Sequence, residues 1–174
     1  MKDVCEDVQV MKDVDRSESR RAREHRRCPW ARRLGLLALL LPALGACGDG
    51  GREARRSQLG PDPTLEQRMA VADPSAGASL FGPCLACHTI GRGGPDLAGP
   101  NLHGVMGAPI GRRLQRYGYT AALRSVGGVW TEAAMDAWLA SPSRFAPGTK
   151  MNYPGMADPL GRADLIAYLA SQSR

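Results

Sequence analysis

Residues 84–88 read Cys-Leu-Ala-Cys-His, two thiols and an imidazole within five positions. A Cys-x-x-Cys pair can act as a redox dithiol, as half of a zinc site, or as the covalent anchor of a c-type haem. Zinc sites normally take four ligands. Beyond Cys84, Cys87 and His88, only His103 remains among the cysteines and histidines after residue 47 to complete a set, and its neighbours do not resemble a zinc finger. A thioredoxin-like dithiol belongs among alternating strands and helices, and the flanks DPSAGASLFGP and TIGRGGPDLAGP offer no such pattern. The haem reading has a physical logic of its own. Both thiols can form thioethers to vinyl groups, and the adjacent imidazole then lies beneath the iron. It requires a second axial ligand elsewhere in the chain.

The second half of the sequence offers His103, Met106, Met135, Met151 and Met156. Met135 sits in TEAAMDAWLAS, where it shares a helical face with Trp138 and Leu139 at i, i+3 and i+4, the spacing of a core residue. Met151 lies instead in FAPGTKMNYPGM, between Pro147-Gly148 and Pro154-Gly155. A loop closed by turn residues, with no apolar period, is suited to presenting one side chain. His103 reads as a loop histidine at the surface.

These residues need elements to hold them. Thr131 predicts an N-cap for a helix over 132–140, stopped by Pro142. Asp158-Pro159 predicts the start of a last helix through about Ser171, with Leu165, Ile166 and Leu169 on its apolar side. Upstream, residues 1–33 are strongly charged, and LGLLALLLPALGAC (34–47) is an apolar run. That run is shorter than the roughly 20 residues of a membrane span, and with Arg32-Arg33 before it fits a secretory signal. Leu44-Gly45-Ala46-Cys47 resembles the lipobox of bacterial lipoproteins, which marks Cys47 for lipidation. Simple cleavage after Ala46 is the alternative. Residues 1–46 are thus expected to be leader and signal peptide, with a mis-assigned start explaining 1–33.

Residues 47–72 are expected to be a flexible linker of roughly 25–30 Å span, leaving 73–174 as the folded domain. The full chain carries 23 Lys/Arg against 17 Asp/Glu, but thirteen and ten of these follow residue 46. A balance near +3, with no basic stripe interleaved with aromatics, gives no argument for nucleic acid. About 100 residues with few large side chains make a meagre core, which a bound cofactor would complete.

CLACH, GPNLHG (99–104), PGTKM (147–151) and RADLIAYL (162–169) together resemble the successive motifs of class I cytochromes c, in order across 73–174. The resemblance implies an all-α fold of a few helices around one covalent haem c. It implies attachment at Cys84 and Cys87, with His88 and Met151 as the proximal and distal iron ligands. The Pro100 carbonyl would accept the His88 ring N–H, and Tyr119, Trp130 and Thr149 would face the propionates. Gly77 and Phe81 on a first helix would pack against Leu165 and Tyr168 on the last.

The implied function is that of an exported, periplasmic one-electron carrier without a small-molecule substrate. Its partners would be a cytochrome bc-type complex, a terminal oxidase or a periplasmic dehydrogenase. A haem subunit of a larger oxidoreductase, or a haem sensor or peroxidase with a labile methionine, are the rivals. Three features depart from the family pattern. Trp138 stands where a tyrosine is usual near the methionine sulfur. The loop GAPIGRRLQRYGYT is one residue longer than the mitochondrial pattern, leaving Arg112, Arg113 and Arg116 as alternatives at a propionate, and Leu123 replaces a residue that is often polar. The docking lysines of the mitochondrial proteins are reduced to Lys150 and Arg144, with Leu97, Ala157 and Asp158 at other such positions. Steering by charge should accordingly be weak and docking mildly salt-sensitive.

Overall fold

Asp158 caps and Pro159 opens the longest helix in the computed structural model, which describes residues 50–173. In chain order the elements are α1 (Gly50–Gln58), α2 (Leu65–Ala70), α3 (Pro74–Leu80), a 3₁₀ helix (Gly82–Ala86), α4 (Ala121–Val126), α5 (Glu132–Ala140), α6 (Pro142–Phe145) and α7 (Pro159–Ser171). Among the described residues there is no strand, only an isolated antiparallel bridge between Pro109 and Val129. The fold is all-α, as the sequence implied. Both helices expected from their caps have the expected limits. Thr131 Oγ1 accepts the Ala134 N–H at the head of α5, and Asp158 Oδ1 accepts that of Leu160 at the head of α7.

α3 crosses α7 at a point that only a glycine allows. A Cβ on Gly77 would stand 2.6 Å from the Asp164 carbonyl carbon and 2.8 Å from the Tyr168 Cβ. Phe81 is buried one turn later, with its ring centroid 5.4 Å from that of Tyr168. Leu165, Ile166 and Leu169 of α7 are buried, and so are Met135, Trp138 and Leu139 of α5. Trp130 lies between Trp138 and Phe145, with centroids 5.6 and 5.7 Å away.

The flexible linker expected over 47–72 is not what the structure shows for its described part. Residues 50–70 contain α1 and α2, and the compact unit begins at Arg52 rather than residue 73. The reason is that this segment docks through charge, so a search for apolar periodicity passes over it. Arg52, Arg55 and Arg56 share one face of α1 at i, i+3 and i+4. Arg52 and Arg56 pair with Asp158, while Arg55 grips Asp164 through two hydrogen bonds of 2.5 and 3.1 Å. α2 opens with a capping box between Thr64 and Gln67. Its buried Arg68 reaches Asp136 and donates to the Pro159 carbonyl at 2.9 Å. Cys47 and the leader lie outside the described residues.

Asp136 sits between Arg68 at 3.2 Å and Arg162 at 2.7 Å. Burial pushes its carboxyl up, but the two guanidinium groups outweigh burial and hold it below the usual range. A depressed folded-state pKa stabilises fully above the unfolded value of about 3.9, and that contribution disappears as pH falls through the lower folded value. The Asp136→Asn chain should therefore lose thermal stability most at neutral pH. The gap from the native chain should narrow below about pH 4, a trend that melting curves from pH 7 to pH 3 would record.

Candidate functional site

The 3₁₀ helix turns the chain tightly enough to bring Cys84, Cys87 and His88 onto one cavity. The amides of Cys87 and His88 both bond the Cys84 carbonyl, at 3.1 and 2.9 Å. The cavity has a volume of about 310 Å³, and its walls include Val105, Leu123, Trp138, Leu165 and Leu169 as well as the three motif residues. No disulfide joins Cys84 and Cys87, the first half-buried and the second exposed. Burial pushes the Cys84 thiol up, the opposite of the activation that a redox dithiol needs. Among the described residues, no three His, Cys, Asp or Glu side chains are grouped to hold a metal, so Cys84, Cys87, His88 and His103 do not form a zinc site.

His88 is held from behind. Its Nδ1 lies 2.7 Å from the Pro100 carbonyl, as the sequence reading expected. A carbonyl can only accept, so Nδ1 carries the proton and Nε2 keeps its lone pair. Burial lowers the His88 pKa, with the Pro100 bond working the other way, so the ring is neutral and able to ligate at pH 7. Gly99 lies flat against this ring: a Cβ there would come within 2.6 Å of Nδ1 and 2.7 Å of Nε2. The loop is fixed by buried Asn101. Its Nδ2 donates to Thr89 Oγ1 at 2.6 Å and to the Gly91 carbonyl at 2.9 Å, and its Oδ1 accepts the His103 N–H at 3.1 Å. Its own backbone N–H donates to Asp96 at 2.9 Å.

Met151 lines the same cavity, in the expected loop. Thr149 lines it as well, and its hydroxyl accepts the Met151 N–H at 3.3 Å. Tyr119 and Trp130 also reach the wall, the first half-buried and the second 6% exposed. Met135 does too, from within the packed face of α5. His103 does not reach the wall. Of the three arginines that the sequence left open, Arg113 is on the wall, donating to the carbonyls of His103 and Asn101. Arg112 turns to the Arg124 carbonyl and Arg116 to Asp96. Sequence reasoning missed Asn101, Tyr117 and Tyr153 as parts of this site. For Tyr117 a signal was available in the Tyr-Gly-Tyr run, of which only the second tyrosine was singled out.

This donor set fits a haem. Two thiols, a neutral imidazole with one oriented nitrogen and a thioether open onto one apolar space. No protein-family model matches the chain. The chain is 38% identical over 125 residues to a cytochrome c homolog of Bradyrhizobium diazoefficiens, spanning 72% of this chain and 65% of that one. It is 41% identical over 98 residues to the cytochrome c of Cannabis sativa, spanning 56% of this chain and 87% of the relative. The chain belongs to the class I cytochromes c. The solved structure of cytochrome cH from Methylobacterium extorquens agrees, with a TM-score of 0.55 at 41% identity, covering 57% of this chain and 99% of that one. As a member of this family the chain carries covalently bound haem c. It spans less than two thirds of the length of the Bradyrhizobium relative.

Proposed function

We propose that this chain is a one-electron carrier whose haem is attached through Cys84 and Cys87 and whose iron is ligated by His88 and Met151. The observation that carries the reading is the 2.7 Å bond from His88 Nδ1 to the Pro100 carbonyl, on a cavity that Met151 also lines. When bound, haem c supplies an iron that moves between ferrous and ferric states. The protein groups determine the rest. Pro100 keeps His88 oriented and raises its basicity, and methionine with histidine as the iron's protein ligands would favour the reduced state and raise the potential. Val105, Leu123, Trp138 and Leu165 exclude water. Arg113, Tyr119, Trp130 and Thr149 are assigned to the propionates. No acid, base or nucleophile is required.

An iron held by both His88 and Met151 would resist small ligands. The ferrous protein should leave its visible spectrum unchanged under carbon monoxide at neutral pH. Rapid CO uptake would favour the sensor or peroxidase reading.

Docking belongs to the same proposal. The exposed Leu85 and Leu97 near the cavity, with the reduced number of lysines, support an apolar contact with a bc-type complex, a terminal oxidase or a periplasmic dehydrogenase. Electron transfer to such a partner should change little with ionic strength. The apolar run before Cys47 supports export to the periplasm, and the lipobox resemblance supports a lipid anchor at Cys47. No helix among the described residues is long and apolar enough to cross a membrane.

A further inference from the structure

α1 begins at Gly50, three residues after Cys47. Its sequence, GGREARRSQ, has no apolar side chain beyond Ala54 with which to pack on a domain. Charge holds it instead. Arg52 and Arg56 pair with Asp158 at the head of α7. Arg55 bonds both oxygens of Asp164, whose side chain is fully buried. It also donates to the Val71 carbonyl at 3.1 Å, which ties the two ends of the 55–71 segment together. Within that segment buried Arg68 fastens α2 to Asp136 and to the Pro159 carbonyl. The part-exposed pairs at Asp158 contribute little alone, whereas parting Arg55 from a buried carboxylate is costly.

This docking changes how far the domain can stand from Cys47. A chain undocked from 47 to 72 would span about 25–30 Å as a coil, and up to about 90 Å when drawn out. With α1 seated, five peptide steps join Cys47 to Arg52, at most about 18 Å even when fully extended.

We propose that α1 is a collar that shortens the lipid tether and holds the α1–α7 side of the domain close to the membrane surface. The collar rests on the reading of Cys47 as the lipid anchor. Its arginines act on aspartates of the domain, so the chemistry of the lipid headgroups does not decide whether it is closed.

The test uses the full haem-loaded chain in phosphatidylcholine vesicles whose surface carries a fluorescent headgroup. Two quantities are read: quenching of that fluorophore by energy transfer to the haem, which falls with distance, and amide hydrogen exchange at residues 52–58. Four chains are compared: native, Glu53→Gln, the triple variant Arg52→Gln/Arg55→Gln/Arg56→Gln, and a native chain with about 20 Gly/Ser residues inserted after Asp49, which adds a coil span of roughly 25 Å. Native and Glu53→Gln should quench strongly and alike. The insertion should weaken quenching while exchange in α1 stays slow. The triple variant should weaken quenching to a similar extent and exchange fast. If the triple variant retains too little haem to measure, Arg55→Gln takes its place. Native-strength quenching in the arginine variant, or quenching in the native chain no stronger than in the inserted one, overturns the collar alone. Failure of the native chain to associate with the vesicles overturns the Cys47 anchor and the collar together.

Discussion

Asp164→Ala should cost about 3–5 kcal/mol of folding stability, the typical loss when one partner of a buried ion pair is removed. Asp164 is fully buried. It accepts both bonds from Arg55 and a third, at 2.8 Å, from the Asp73 backbone N–H. Its truncation leaves the guanidinium of α1 and the amide at the head of α3 without their shared acceptor. It does so where α3 and α7 are in closest approach at Gly77. Asp164→Asn keeps an acceptor for Asp73 but loses the charge, so its penalty should be intermediate. Glu53→Ala, at an exposed pair with Arg56 separated by 3.7 Å, should stay within about 0.5 kcal/mol of native. Denaturant unfolding of the haem-loaded chains separates the three. If Asp164→Ala unfolded at the same midpoint as Glu53→Ala, α1 would not be part of the cooperative fold.

Gly99→Ala should disengage His88 while leaving most of the helices intact. The added methyl would stand 2.6 Å from Nδ1, so either the ring or the 97–101 loop must move. The loop is the less yielding of the two, because the side chain of Asn101 bonds Thr89, Gly91 and His103. The ring should therefore shift and lose its bond to Pro100. Loss of such an orienting partner typically costs about ten- to a hundredfold in metal affinity or activity. The expected result is an expressed chain with correct helical content and iron that no longer holds His88 firmly, visible as a changed visible spectrum and weakened haem retention. A native spectrum in Gly99→Ala would show that the loop yields more readily than its hydrogen bonds suggest.

Much of this site was legible because its chemistry is local. Cys84, Cys87 and His88 are set by one 3₁₀ turn, and α5 and α7 are announced by Thr131, Asp158 and Pro159, whose caps form as the sequence suggests. What could not be read depends on long-range partners. The arginine face of α1 has meaning only once Asp158 and Asp164 of α7 lie opposite it. An arginine at helical spacing in a Gly-rich segment looks the same whether it is solvated or docked. The choice among Arg112, Arg113 and Arg116 turns on the path of a loop whose geometry no periodicity encodes. Asn101 was visible within GPNLHG, but its role arises from Thr89 and Gly91, ten or more residues earlier. Tyr117 gains its place only when Lys150 folds back across 32 positions.

The midpoint potential of the haem-loaded protein, taken by optical redox titration and repeated with Met151→Leu, tests the central claim most directly. Ligation by His88 and Met151 predicts a clearly positive midpoint that falls when the thioether is removed. A strongly negative midpoint, unchanged in Met151→Leu, would mean that Met151 does not ligate the iron and that the electron-carrier account is wrong.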